Sequence, residues 1–211
     1  MHSSLLILLI NFAKVIVSSL PGGLAYVNII ACMFFGAISG SAAAATSAVG
    51  GVMIPSMNKE GYDKNFNTAL TVTASTTGLL IPPSNILIIY SLASGGVSIS
   101  ALFIAGYIPG LLIGLSLIFV SMIMARINNY PSGLGYDLKD IISRSFEALP
   151  SLLLIYIVIG GIIKGVFTAT EASVVAVLYS LLLAFLYKEI ELADIPRILL
   201  KTVETTSIVM L

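Results

Sequence analysis

Apolar runs separated by short polar, glycine-rich or proline-rich breaks set the pattern of this chain. Residues 5–20 form an apolar run that carries Lys14 and is marginal as a membrane span. Residues 24–38 and 42–54 follow, divided only by Ser39-Gly40-Ser41. Residues 66–93 make a longer run, broken at Gly78-Leu-Leu-Ile-Pro82-Pro83-Ser84-Asn85. Further apolar runs cover 101–125, 146–163 and 171–187, and residues 195–211 open another helix. Crossing a bilayer takes about 20 apolar residues in a helix. A run of about 15 residues rises only about 22 Å, short of the roughly 30 Å hydrocarbon core. The pattern therefore predicts an all-α integral membrane protein with several spans, a helical hairpin over 24–54 and a broken helix within 55–93. The simplest arrangement of the hairpin is re-entrant, with Ser39-Gly40-Ser41 at a tip near mid-membrane. The alternative is two short buried helices in a tight bundle, with glycine and alanine serving close approach.

Composition sharpens the class. The chain is 58% hydrophobic and 9% charged, with a mean hydropathy of +1.07, whereas soluble domains carry about 25% charge. Zero formal net charge gives no footprint for nucleic acid. The single cysteine, Cys32, excludes an internal disulfide and a cysteine-based zinc cluster and reads as small apolar filler. His2 reads as an incidental terminal residue, and with no tryptophan the tyrosines must supply the aromatic belt. Residues 1–20 lack a basic leading region and a small-residue cleavage site, so they do not read as a secretory signal. Most basic residues fall in three connections: Lys59 and Lys64; Arg126, Lys139 and Arg144; Lys188, Arg197 and Lys201. The intervening spans place all three on one side, which the positive-inside rule makes cytoplasmic. Residues 94–100 and 165–168 then face outward.

The two breaks carry the candidate chemistry. Irregular backbone at membrane depth is tolerated only where protein or a water-filled cavity satisfies its polar groups. At the tip a new helix starts near Ser41, and its first N–H groups can hold a carboxylate or be capped by Ser41 itself. Ser39 and the last carbonyls of the first arm offer oxygens to a hard cation. Pro82 and Pro83 lack N–H groups, so an ideal helix would leave the carbonyls of Gly78 and Leu79 unpaired. Those carbonyls with Ser84 and Asn85 form a second oxygen cluster. One reading is a Na⁺ and substrate region shared by Ser39, Gly40, Ser41, Gly78, Pro82, Pro83 and Ser84. The other is a proline kink whose carbonyls are met by Thr76, Thr77 or water.

Elsewhere, Thr168-Ala-Thr-Glu171 matches a capping box. Lys164 is expected to snorkel to the interface, and Lys14 to do the same or face a partner subunit. Gly61-Tyr62-Asp63-Lys64 reads as a solvated connection. Ala37-Ile-Ser39-Gly40 is only loosely similar to the serine motif of rhomboid-type proteases: the glycine two before the serine is missing and no span contains a histidine. Neither Lys14 nor Lys164 is expected at the depth of Ser39, so no Ser–Lys dyad is read and the chain is not expected to be an enzyme.

Several motifs in order carry a family likeness. They are Gly23-Leu-Ala25, Phe35-Gly-Ala-Ile-Ser-Gly-Ser41, Ile54-Pro55, Gly61-Tyr-Asp63, Gly78 with Ile81-Pro-Pro-Ser84, and Tyr90. Leu102-Phe-Ile-Ala-Gly106 with Pro109-Gly110, and Gly165-Val-Phe-Thr-Ala-Thr-Glu-Ala172, continue the series. From about Leu5 onward the chain resembles the large membrane subunit of TRAP transporters, the DctM-like permeases. That resemblance implies an elevator-type secondary transporter of two inverted repeats, each with a hairpin and a broken helix. It implies Na⁺-coupled uptake of organic acids, of the C4-dicarboxylate or sialic acid type, across the bacterial inner membrane. A periplasmic substrate-binding protein delivers the substrate, and a small membrane subunit, separate or fused, completes the scaffold. No cofactor is implied beyond Na⁺ as coupling ion. Ser39, Gly40 and Ser41 match the first hairpin tip; Gly78, Pro82, Pro83 and Ser84 match the first broken helix.

On this basis residues 1–23 are part of an incomplete scaffold, 24–54 the hairpin, 55–93 a cytoplasmic loop and broken helix, and 94–125 a transmembrane helix. Residues 126–145 are a cytoplasmic loop and 146–211 the start of a truncated second repeat, so the chain is expected to be roughly the middle half of such a permease. Ala42 stands where the family often has serine, and Ala169 where it often has proline. Two further readings compete: a non-transporting truncated membrane chain, and a Na⁺/anion symporter that works without a binding protein.

Overall fold

The computed structural model describes residues 10–14, 17, 20–132, 138–187 and 190–210. The rest of the 1–23 segment, His2, Lys188 and residues 133–137 of the expected 126–145 loop lie outside them. Every regular element among the described residues is helical, and one isolated bridge joins Pro21 to Ser132.

Helix α1 (Gly23–Ser39) ends on Gly40, which takes a left-handed φ of 63° and donates its N–H to the Gly36 carbonyl at 2.8 Å. Helix α2 (Ala42–Lys59) starts on Ser41, whose Oγ accepts the Ala44 N–H at 3.2 Å. It continues through Pro55 to Lys59 rather than ending near Ile54. A proline lacks the N–H that would bond the carbonyl four residues back, here that of Gly51, yet the helix runs on past it. The Ser56 hydroxyl meets the neighbouring Val52 carbonyl at 2.9 Å. Helix α3 (Lys64–Gly78) is capped by Asp63, which accepts the Phe66 N–H at 2.8 Å. After the break come α4 (Asn85–Ala93) and α5 (Ile99–Ile127), the latter opened by Ser98 accepting the Ala101 N–H at 3.3 Å. Helix α6 (Leu138–Ile163) starts well before Phe146, so its first turns carry Lys139 and Arg144, placed in a loop by hydropathy alone. Helix α7 (Ala169–Leu186) begins on the expected capping box: Thr168 Oγ1 accepts the Glu171 N–H at 3.3 Å and Glu171 accepts the Thr168 N–H at 2.8 Å. A short 3-10 turn (Leu192–Asp194) leads into α8 (Ile195–Met210).

Among the described residues α5 is the one helix long and apolar enough to cross a membrane. Its 29 residues rise about 43 Å. Ile104, Ile108, Leu111, Leu112, Leu115 and Phe119 are exposed along it, while Gly106, Gly110 and Gly114 are buried. The glycine stripe receives other elements closely: a Cβ would lie 2.4 Å from the Leu80 carbonyl oxygen at Gly106, 2.7 Å from Ile81 Cγ1 at Gly110 and 2.5 Å from Met33 Cε at Gly114.

Two apolar cores result. The first joins α1, α2 and α3 through Val27, Ile29, Phe35, Val49, Met53 and Leu70, with Ala125 near the end of α5 and Tyr130 just beyond it closing it. The second joins α5, α6 and α7 through Phe103, Val158, Ile162 and Ala172.

At the open end of the α1–α2 hairpin three connections meet. Tyr62 and Tyr130 stack with centroids 4.1 Å apart, the Asp63 N–H donates to the Tyr130 hydroxyl at 3.2 Å, and the Gly22 N–H donates to the Pro131 carbonyl at 3.2 Å. The expected solvated connection is thus solvated only in part. Gly61, Asp63 and Lys64 are exposed, but Tyr62 is 3% exposed because its ring fills the gap against Tyr130. Burial pushes the Tyr62 phenol above its ordinary range.

Candidate functional site

The hairpin turn is held by local bonds. Ser39 Oγ accepts the Ser41 N–H and donates to the Ser41 carbonyl, both at 3.3 Å. Ser39, Gly40 and Ser41 are each half-buried. A side chain at Gly40 has no room: a Cβ there would lie 2.5 Å from Asn85 Nδ2 and 2.7 Å from Asn85 Cγ. The tip of the hairpin therefore rests on the first residue of α4, directly after Pro82-Pro83-Ser84.

The break itself is built by a tightening turn and a capped end. Leu79 and Leu80 donate to the Thr76 and Thr77 carbonyls at 3.1 Å, so the last turn of α3 closes in 3-10 fashion. The Pro82–Pro83 peptide is cis. Ser84 is fully buried, and its Oγ donates to the Leu79 carbonyl. One carbonyl freed by the prolines is thus satisfied from within the break, by Ser84. The Thr76 and Thr77 hydroxyls instead donate to the Thr73 carbonyl, at 2.7 and 3.1 Å.

Gly78 lies elsewhere than the tip. It meets Gly36, one turn before the tip on α1, backbone against backbone. A Cβ at Gly78 would lie 2.7 Å from Gly36 Cα, and one at Gly36 would lie 2.9 Å from Gly78 Cα. The structure thus brings Ser39, Gly40 and Ser41 to the Pro83–Asn85 end of the break, and gives Gly78 to the α1–α3 crossing. Among the described residues no group of three His, Cys, Asp or Glu side chains gathers. The donors at the meeting point are neutral hydroxyl, amide and carbonyl oxygens, a set that suits a hard cation over a transition metal.

The sequence reading missed a buried polar ladder behind the tip. Asn28 on α1 donates to Thr71 Oγ1 on α3 at 2.7 Å. Thr71 donates to the Asn67 carbonyl at 2.7 Å, Asn67 Nδ2 donates to Asn58 Oδ1 on α2 at 2.8 Å, and Ser75 donates to the Thr71 carbonyl at 2.8 Å. The signal was present: Asn67, Thr71 and Ser75 recur every fourth residue, which places them on one helix face.

The family model for the DctM component of tripartite ATP-independent periplasmic transporters matches residues 1–211. The chain is 54% identical to the uncharacterized protein YgiK of Salmonella typhimurium over 96% of its own length and 47% of that protein's. It is 41% identical to the C4-dicarboxylate TRAP transporter large permease protein DctM of Pseudomonas aeruginosa, over 96% of this chain and 47% of the relative. It is 40% identical to the sialic acid TRAP transporter large permease protein SiaM of Vibrio cholerae, over 95% and 47%. The chain spans about half the length of these relatives. With a family match over its whole length, this chain belongs to the DctM family of TRAP transporter large membrane components.

Proposed function

We propose that this chain forms part of the large permease of a TRAP transporter in the bacterial inner membrane, and that the complete permease takes up organic acids with Na⁺ as coupling ion. Family membership supports the transport role. What supports an ion site is the meeting of the two irregular segments, with Gly40 at the hairpin tip against Asn85 at the break. In this reading the hairpin is re-entrant from the cytoplasmic side, and the end where Lys59, Lys64 and Arg126 lie is cytoplasmic. Na⁺ draws oxygens from Ser39 and Ser41 at the tip and from the Pro82-Pro83-Ser84 end of the break, while Gly78 holds the helix leading into that break against α1. The ion orders both segments and completes a carboxylate site at the start of α2, where free N–H groups carry partial positive charge. The unit bearing the hairpin then moves in elevator fashion against a static scaffold, served by the small membrane subunit and a periplasmic binding protein. The relatives are named for C4-dicarboxylate and sialic acid, which supports an organic acid as the class.

The test is Na⁺-dependent uptake by the complete permease, reconstituted in liposomes with its small subunit and binding protein. Ser39→Ala and Pro83→Ala should each raise the sodium concentration for half-maximal uptake, by about tenfold for each 1.4 kcal/mol of lost ion binding. An unchanged sodium dependence in both variants would remove Na⁺ from this site.

A further inference from the structure

The buried ladder behind the tip calls for a reason other than stability. Asn28, Asn67, Thr71 and Ser75 are fully buried, in the bundle that also forms the larger apolar core. The Asn67 Oδ1 is buried with no hydrogen-bond partner. A half-satisfied buried polar network is worse than an apolar one of the same shape, so Asn67 is a poor stabiliser. What it and Thr71 do have is reach. From adjacent turns of α3 they bond to both arms of the hairpin, Thr71 to Asn28 on α1 and Asn67 to Asn58 on α2. Sliding α3 by one turn, about 5.4 Å, breaks both bonds at once. Apolar contacts such as Leu70 or Ala74 against the hairpin set no such register.

We infer that Asn67 and Thr71, with Asn28 and Asn58, are positioning residues that lock the axial register of α3 against the hairpin. Gly40 is thereby delivered onto Asn85 at the far end. Their link to ion coupling rests on the proposed Na⁺ role of the tip and break; their link to geometry does not. A single buried polar residue fixing register at a cost in stability has precedent in helical assemblies. The Gly36–Gly78 contact lies between lock and tip, so the register set at the open end is carried along α3 to the break.

The experiment uses the complete permease with its small subunit. Spin labels at the exposed positions Ala43 and Ile86 report the tip-to-break distance; Cys32, fully buried, stays in place. Asn67→Leu keeps the heavy-atom count and removes the unpaired oxygen. The expected result is an unchanged or raised melting midpoint, a broadened distance distribution and a five- to tenfold rise, on the order of an ordinary coupling free energy, in half-saturating Na⁺. Thr71→Val should broaden the distribution as well, and Thr71→Ser, which keeps the hydroxyl, should restore it. A distribution in Asn67→Leu that superimposes on the parent's overturns the proposal, whatever the midpoint does. A broadened distribution with unaltered half-saturating Na⁺ overturns its link to coupling. If the parent shows no sodium dependence, the Na⁺ reading fails instead, and the distances alone decide the register lock.

Discussion

Replacing Gly78 by alanine tests whether α1 and α3 are held together by direct backbone contact. The added Cβ would lie 2.7 Å from Gly36 Cα, 3.0 Å from the Cys32 carbonyl oxygen and 3.1 Å from the Gly36 carbonyl carbon. Carbon pairs rest at about 3.5–4.0 Å, so the two helices must separate by about 1 Å. All three obstacles are backbone atoms and cannot swing aside as a side chain can. Overpacking of this kind costs about 1–3 kcal/mol. Alanine's better helix propensity returns at most about 1 kcal/mol, and less here because Gly78 closes its helix. The net expectation is a loss of about 1–2 kcal/mol, which lowers the melting midpoint of the complete permease, about twice the length of this chain, by roughly 1–4 °C. The assay is thermal unfolding of the complete permease in detergent, with Gly51→Ala as control. Gly51 is also helical but meets nothing within 4 Å, so that variant should melt with the parent or slightly above it. Gly36→Ala should behave like Gly78→Ala. The double variant should fall short of the sum by about 0.5 kcal/mol or more, since both methyl groups enter one gap. If Gly78→Ala melts with the parent, or the double variant is strictly additive, the contact does not hold these helices.

Ser84→Ala removes the hydroxyl that donates to the Leu79 carbonyl and should cost about 1–2 kcal/mol, read as faster hydrogen exchange over residues 79–84 with α1 unaffected. Tyr130→Phe keeps the stack on Tyr62 but removes the acceptor for the Asp63 N–H; it should cost about 1 kcal/mol in thermal unfolding, well below Tyr130→Ala. Thr168→Ala deletes the N-cap of α7 and should lower stability by about 1 kcal/mol, with Thr168→Ser recovering most of it.

Much of the path of the chain was legible in the residues. Ser39-Gly40-Ser41 and Pro82-Pro83 divide the helices where the pattern puts the breaks, because a left-handed glycine and two consecutive residues without N–H groups each interrupt the helical hydrogen bonds locally. Thr168 and Glu171 form their capping box because the bond is local and needs only the three-residue spacing. The end of the second arm was less legible: hydropathy falls after Ile54, but the helix runs on through Pro55 to Lys59. The role of Gly78 was half legible. Its small size points to a close approach, but that the approaching group is Gly36 follows only from the crossing of two helices. Tyr62 reads as a loop residue because its burial depends on Tyr130, far along the chain. The Asn28–Thr71–Asn67–Asn58 ladder depends on three helices at once; the fourth-residue repeat in α3 marks the face but not its partners.

The same ladder has a consequence for biosynthesis. Asn28 precedes its partner Thr71 by 43 residues. At about 5–20 residues per second of synthesis, the first arm of the hairpin waits roughly 2–9 s with the Asn28 N–H₂ lacking its Thr71 acceptor. Lipid offers that amide no partner, and α1, at 17 residues, is short for a span. The first arm is therefore poorly suited to leave the insertion machinery alone. The natural unit of insertion is the three helices from Gly23 to Gly78, released together once α3 has emerged to pair with both arms.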